Sequence, residues 1–182
     1  MGDLIFKPTT GGSLKLQEDG GTDAISINTS GVSTITNATI TAGTFPNGHI
    51  IQVVSDTNET EWSHNTTTAT VTPYSQAITP STDSNKILIT FASPIRINDA
   101  GQTDGMARLR LYKNGSAHKL LSNAYGINVY GGNLMYSTTF MDSPATTSAV
   151  TYAIYVECYN AGSIIFNDSG SIGSLTLMEI VA

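Results

Sequence analysis

Charge is scarce in this chain: 12% of its residues are Asp, Glu, Lys or Arg, while 40% are hydrophobic. A solvated disordered polymer needs the opposite balance, so that class is excluded. A helical protein draws on Lys, Glu, Arg and Gln as its strong formers, and these are few. Basic residues number 8 against 14 acidic ones, giving a net charge of −6. They are spread thinly from Lys7 to Lys119, without the cationic patch that neutralises phosphates, so nucleic-acid binding is set aside. A single cysteine, Cys158, excludes an intrachain disulfide; on the inward parity of its strand it reads as a small buried hydrophobe rather than a nucleophile. No segment approaches the roughly 20 apolar residues that cross a bilayer as a helix. No membrane insertion is therefore expected, and Met1-Gly2-Asp3 fits neither a secretion signal nor the myristoylation pattern.

What is abundant is Thr, Ser, Asn and Gly, set around short apolar runs that alternate with a period of two. Val150, Tyr152, Ile154, Val156 and Cys158 share one parity, and Thr151, Ala153, Tyr155, Glu157 and Tyr159 the other, which predicts a strand with one buried face. Lys86 to Phe91 puts Ile87, Ile89 and Phe91 on one face. Met106 to Tyr112 alternates Ala107, Leu109 and Leu111 against Arg108, Arg110 and Tyr112, and Asn114-Gly115 supplies a hairpin turn before a returning strand, Ala117 to Leu121. Further strands are expected at Ile50 to Val54, Leu134 to Met141 and Ile164 to Phe166, with short edge strands around Val71 and Ile78. This spacing indicates an all-β head over 46–182, an antiparallel jelly roll or β-sandwich. The closing run, Leu175 to Ala182, carries apolar residues on both parities, as in a strand covered on both sides. The second cover is read as another copy of the chain, with Leu175, Leu177, Met178 and Ile180 at the contact.

Residues 1–45 differ. Short runs at Leu4-Ile5-Phe6, Leu14-Lys15-Leu16, Ile25-Ser26-Ile27 and Ile35 to Ile40 are separated by Gly11-Gly12, Gly20-Gly21, Gly31 and Gly43. Each offers too few side chains to close a core, so the favoured reading is a β shaft of several chains or an arm laid on a partner. The other reading is a flexible leader. Phe45-Pro46-Asn47-Gly48-His49 marks the junction.

Catalytic signatures are missing. Gly170-Ser171-Ile172-Gly173-Ser174 has the wrong spacing for a nucleophile elbow, and no phosphate-cradling glycine loop is present. His49, His64 and His118 lack ligand-spaced neighbours, and His118 is expected to face solvent on its hairpin. The oxygen-rich loop from Asn98 to Gly105 offers Asp99 and Asp104 to a calcium ion, but it lacks the closing glutamate of an EF-hand and reads as an ordinary turn. Asp56, Glu59, Glu61 and His64 read as a solvated loop. No enzyme and no cofactor are expected. Tyr112, Tyr130 and Tyr155 are candidate contacts for a glycan or partner, because a phenol offers an apolar face and a polar tip; the competing reading packs the tyrosines between subunits.

Three stretches carry a resemblance. Thr44-Phe45-Pro46-Asn47-Gly48-His49-Ile50-Ile51-Gln52-Val53-Val54, Asp142-Ser143-Pro144-Ala145-Thr146-Thr147-Ser148-Ala149-Val150-Thr151-Tyr152 and Leu175-Thr176-Leu177-Met178-Glu179-Ile180 resemble tail-fibre-like virion proteins of marine tailed phages, including cyanophages. Gly-Gly-Ser-Leu-Lys-Leu-Gln-Glu-Asp-Gly-Gly at 11–21 looks like repeats of phage appendage proteins. The head is similar to the trimeric jelly rolls of complement-type and tumour-necrosis-factor-like proteins. The resemblance implies a homotrimeric structural protein of the virion, partnered by tail or capsid proteins and turned toward a host-surface glycan. A short fibre is favoured, because the glycine-punctuated leader resembles a shaft. The alternatives are a capsid decoration trimer and, from another class, a free carbohydrate-binding β module.

Overall fold

The computed structural model describes residues 46–98, 106–125, 134–159 and 162–182, together with three strands nearer the N-terminus. The chain divides into two compact units, Met1–Thr44 and Phe45–Ala182.

In the first unit, β1 (Leu14–Gln17), β2 (Asp23–Ile27) and β3 (Ser33–Ile35) form a three-stranded antiparallel sheet in that order. The register sets Leu16 opposite Ile25 and Ile25 opposite Ile35. These short runs thus pair with one another within one chain.

The second unit contains β4 (Ile50–Asn58), β5 (Trp62–His64), β6 (Thr70–Ile78), β7 (Lys86–Asn98), β8 (Met106–Lys113), β9 (Ser116–Tyr125), β10 (Leu134–Asp142), β11 (Val150–Tyr159), β12 (Ser163–Phe166) and β13 (Gly173–Ile180). All pairings are antiparallel. One sheet runs β4-β13-β7-β10, with β12 and β5 continuing from the far half of β7; the other runs β6-β11-β8-β9. Together they make the jelly-roll sandwich that the alternation predicts. Strand β7 is the spine. Its first half pairs with β13, its second with β12, and β10 follows its other edge.

The period-two pattern fixes what lies between the sheets. Ile87, Ile89 and Phe91 of β7 and Leu175 and Leu177 of β13 meet Leu109, Leu111, Tyr152, Ile154 and Val156 from the facing sheet, all fully buried. Each such aliphatic or phenyl side chain contributes roughly 1.5–3 kcal/mol of burial. Cys158 belongs to this face, and its desolvated thiol is pushed up from its ordinary pKa. At the hairpin, Asn114 (φ 50°) and Gly115 (φ 76°) take the left-handed conformations their types permit. The Asn114 backbone N–H donates to the Thr151 carbonyl and its Oδ1 accepts from the Thr151 N–H, both at 2.9 Å, which ties the turn to β11.

Two polar clusters bolt the sheets at separate levels of β7. Level with Ser93, the Tyr74 hydroxyl donates to Asn167 Oδ1, and Asn167 Nδ2 donates to Asn58 Oδ1 at 3.1 Å. Level with Ile87, the register puts two buried carboxylates on either side of it, Asp142 on β10 and Glu179 on β13.

Candidate functional site

The two outer faces of the sandwich differ in chemistry. On the sheet built on β7, the cross-strand register aligns Val53, Met178, Leu88 and Met141 in one row across β4, β13, β7 and β10. Val53 is 56% and Met141 48% exposed, with Met178 and Leu88 half-buried between them. The next row is Ser55, Thr176, Thr90 and Thr139, with Ser55 and Thr176 hydrogen-bonded at 2.8 Å. Thr57, Ser174, Ala92 and Ser137 follow. Beyond the apolar row, Ile180 lies opposite Lys86, and Lys86 is the one charged side chain on this face in all these rows.

The four residues expected at a subunit contact therefore separate. Leu175 and Leu177 are fully buried in their own sandwich, because their parity faces the facing sheet; Met178 and Ile180 lie on the outer face, half-buried. Val53, Leu88 and Met141 escaped the sequence reading. Their signal was an apolar side chain on the polar parity: Leu88 interrupts the outward series Lys86, Thr90.

The outer face of the facing sheet carries rings and charge. Tyr112 and Tyr155 stack with centroids 3.7 Å apart and planes 15° from parallel. Beside them Glu157 accepts from Arg108 Nη1 at 3.1 Å, from Arg110 Nε at 3.0 Å and from the Tyr159 hydroxyl at 2.8 Å. The Arg108 guanidinium lies 4.9 Å from the Tyr159 ring centroid. Burial pushes the Glu157 carboxyl up, but the Tyr159 hydrogen bond and the two guanidinium charges outweigh it and hold it below its ordinary value. Tyr130, Asp99 and Asp104 lie outside the described residues.

His118 turns inward rather than to solvent: its Nε2 lies 3.2 Å from Asp142 Oδ1, because β9 pairs with β8 at the level where Lys113 also reaches that carboxylate. His64 stacks on Trp62 and approaches the Thr66 and Thr68 carbonyls. Among the described residues, no three His, Cys, Asp or Glu side chains gather as metal ligands.

The class of protein these features define is an antiparallel jelly-roll sandwich with one nearly uncharged and one aromatic, charged outer face. No family model matches the chain, and no curated protein does. Among solved structures, it is similar to the VP2 subviral particle protein of infectious bursal disease virus (TM-score 0.42, 10% identity, covering 72% of this chain and 37% of that one). It is also similar to the dimeric latent PorU of Porphyromonas gingivalis (TM-score 0.36, 8% identity, covering 77% and 14%). The match thus spans well under half of either protein.

Proposed function

We propose that this chain is a non-enzymatic structural protein of a tailed-phage virion: a homotrimeric short fibre or appendage of tail-fibre type, displaying its β head at the particle surface for attachment to the host. The observation that carries the reading is where the three resembling stretches fall. The first enters β4, the second spans the β10–β11 connection and supplies both Asp142 and Tyr152, and the third is most of β13, the strand between β4 and β7. The resemblance therefore covers the start of β4, the connection that joins β10 to β11, and the strand β13.

Two other readings share some of this support. A capsid decoration trimer would use the same head, with its N-terminal segment against the shell. A carbohydrate-binding module is favoured by the Tyr112–Tyr155 pair on the outer face of the second sheet. Gold-labelled antibody against the head, applied to purified particles of the phage that encodes the chain, separates them. Label at the tail supports the fibre, and label spread over the shell supports decoration. Particles that carry none overturn the virion reading.

A further inference from the structure

We infer that the outer face of the β4-β13-β7-β10 sheet, centred on Val53, Met178, Leu88 and Met141, is the surface through which copies of this chain associate. The inference rests on the reading above that the protein works as a homo-oligomer, and it names the face responsible.

The apolar row is unbroken from one edge strand to the other, since β4 and β10 each have only one strand partner among the described residues. A lone exposed valine or methionine needs no explanation, but a row in register across a whole sheet is a patch. Three of the five methionines of the chain, Met135, Met141 and Met178, stand on this face. Met135, 61% exposed, lies opposite Pro94 on β7. Methionine adapts its shape to an apposed surface and is enriched at interfaces, from whose centres charge is depleted.

Charge decides the occupant. Copies of a chain with net charge −6 repel one another, and the repulsion is least where like surfaces bring no carboxylates together. This face carries no acidic side chain in the aligned rows, only Lys86 at its margin. Anionic membranes and nucleic acid require a cationic cluster, and a sugar requires rings to stack on; the face offers neither. The serine and threonine rows beside the apolar one supply short neutral hydroxyls, of which Ser55 and Thr176 hydrogen-bond to one another across strands, and neutral hydroxyls so paired tolerate burial against an identical neighbour.

The test is light scattering with sedimentation on the full chain and on Val53→Asp, Met141→Asp and Met178→Asp, with Ser75→Asp, on the exposed face of β6, as control. Each of the three charges on the row should weaken self-association by at least about 30-fold, as expected for a central interface residue, and Ser75→Asp should leave it unchanged. Circular dichroism accompanies each sample. If Met178→Asp loses its β spectrum, Val53→Asp and Met141→Asp, on edge strands and half exposed, carry the result. Association unchanged in those two overturns the inference, and so does a wild-type chain that is monomeric at micromolar concentration. Such a monomer, still labelled on the particle, would leave the virion reading standing and assign the face to another virion protein. An associating chain with unlabelled particles would do the reverse.

Discussion

The Tyr152 hydroxyl on β11 donates to Asp142 Oδ2 on β10 at 2.6 Å, joining the two sheets through a buried pair. Lys113 Nζ reaches the same oxygen at 2.7 Å, so two residues of the facing sheet, from β11 and β8, converge on one carboxylate at the end of β10. Burial pushes the Asp142 carboxyl up. The hydrogen bonds from Lys113 and Tyr152, with the Lys113 charge, outweigh that and hold it below its ordinary value. The same contact pushes the Tyr152 phenol far up, first by burial and then by the adjacent anion.

A carboxyl that ionises more readily folded than unfolded stabilises the fold above its unfolded pKa, about 3.9 for Asp. That stability is lost as pH falls through the lowered folded value. Asp142→Asn should therefore destabilise the head by about 2–4 kcal/mol at neutral pH, because it leaves Lys113 without its counter-charge. It should also flatten the acid limb of the stability curve. Urea unfolding at fixed protein concentration, at pH 7 and near pH 3, measures both. Equal losses at the two pH values would show that the charge contributes nothing.

Glu179 gives the second prediction. It is 1% exposed, yet among the described residues no cation pairs with it: its Oε1 accepts from the Ser81 N–H, the Ser81 hydroxyl and Asn85 Nδ2, each at 2.7 Å. Burial raises this carboxyl and those donors lower it further, to a net value below the ordinary one. The carboxylate thereby anchors the exposed turn Ser81–Ser84 to the end of β13. Glu179→Ala strands three donors and should cost about 2–4 kcal/mol, with new proteolytic cleavage in that turn. A turn that stays protease-resistant would mean it is held by other contacts.

Much of the head was legible in the sequence because alternation reports burial directly. The inward parity of β11 and the face Ile87, Ile89, Phe91 follow from a period of two, and Asn114-Gly115 encodes its own turn. Sheet order was not legible. On parity alone Leu175 and Leu177 look equivalent to Met178 and Ile180; only the position of β13 between β4 and β7, facing β11 and β8, sends one pair to the core and the other outward. Glu157, Arg108 and Arg110 were each on an outward parity, but nothing local shows that β8 pairs with β11. The polar clusters at Asp142 and Tyr74 were invisible for the same reason, since each joins residues distant in the chain.

The Tyr74 cluster yields the third prediction. Gly173 opens β13 where the Tyr74 hydroxyl and Ser93 crowd its backbone, and an added Cβ would collide with Tyr74 Oη and lie 2.8 Å from Ser93 Oγ. Neither neighbour has room to retreat, as both are buried and hydrogen-bonded to Asn167. Gly173→Ala should cost about 1–3 kcal/mol through overpacking, lowering the melting temperature by several degrees. In a double-mutant cycle, Tyr74→Phe should relieve part of that cost by removing the oxygen that clashes. Strict additivity of the two losses would place the strain elsewhere.

The aromatic face gives the last prediction. Tyr112 and Tyr155 already cover one ring face each by stacking on one another, so a ligand meets the pair as a single platform. The neighbouring guanidinium groups of Arg108 and Arg110 are both engaged by Glu157, which cancels one of their two positive charges. Such a surface suits a sugar that stacks its apolar C–H face on a ring. If the head attaches to host glycan here, retention on a glycan array should fall about tenfold in Tyr155→Ala and in Tyr112→Ala. Loss of the stacked pair should cost the fold about 1 kcal/mol in either variant. Self-association should be unaffected, because the platform lies on the sheet opposite the Val53–Met141 row. Binding that survives both substitutions would remove these tyrosines from the contact. A head that retains no glycan at all would turn the search to a protein receptor.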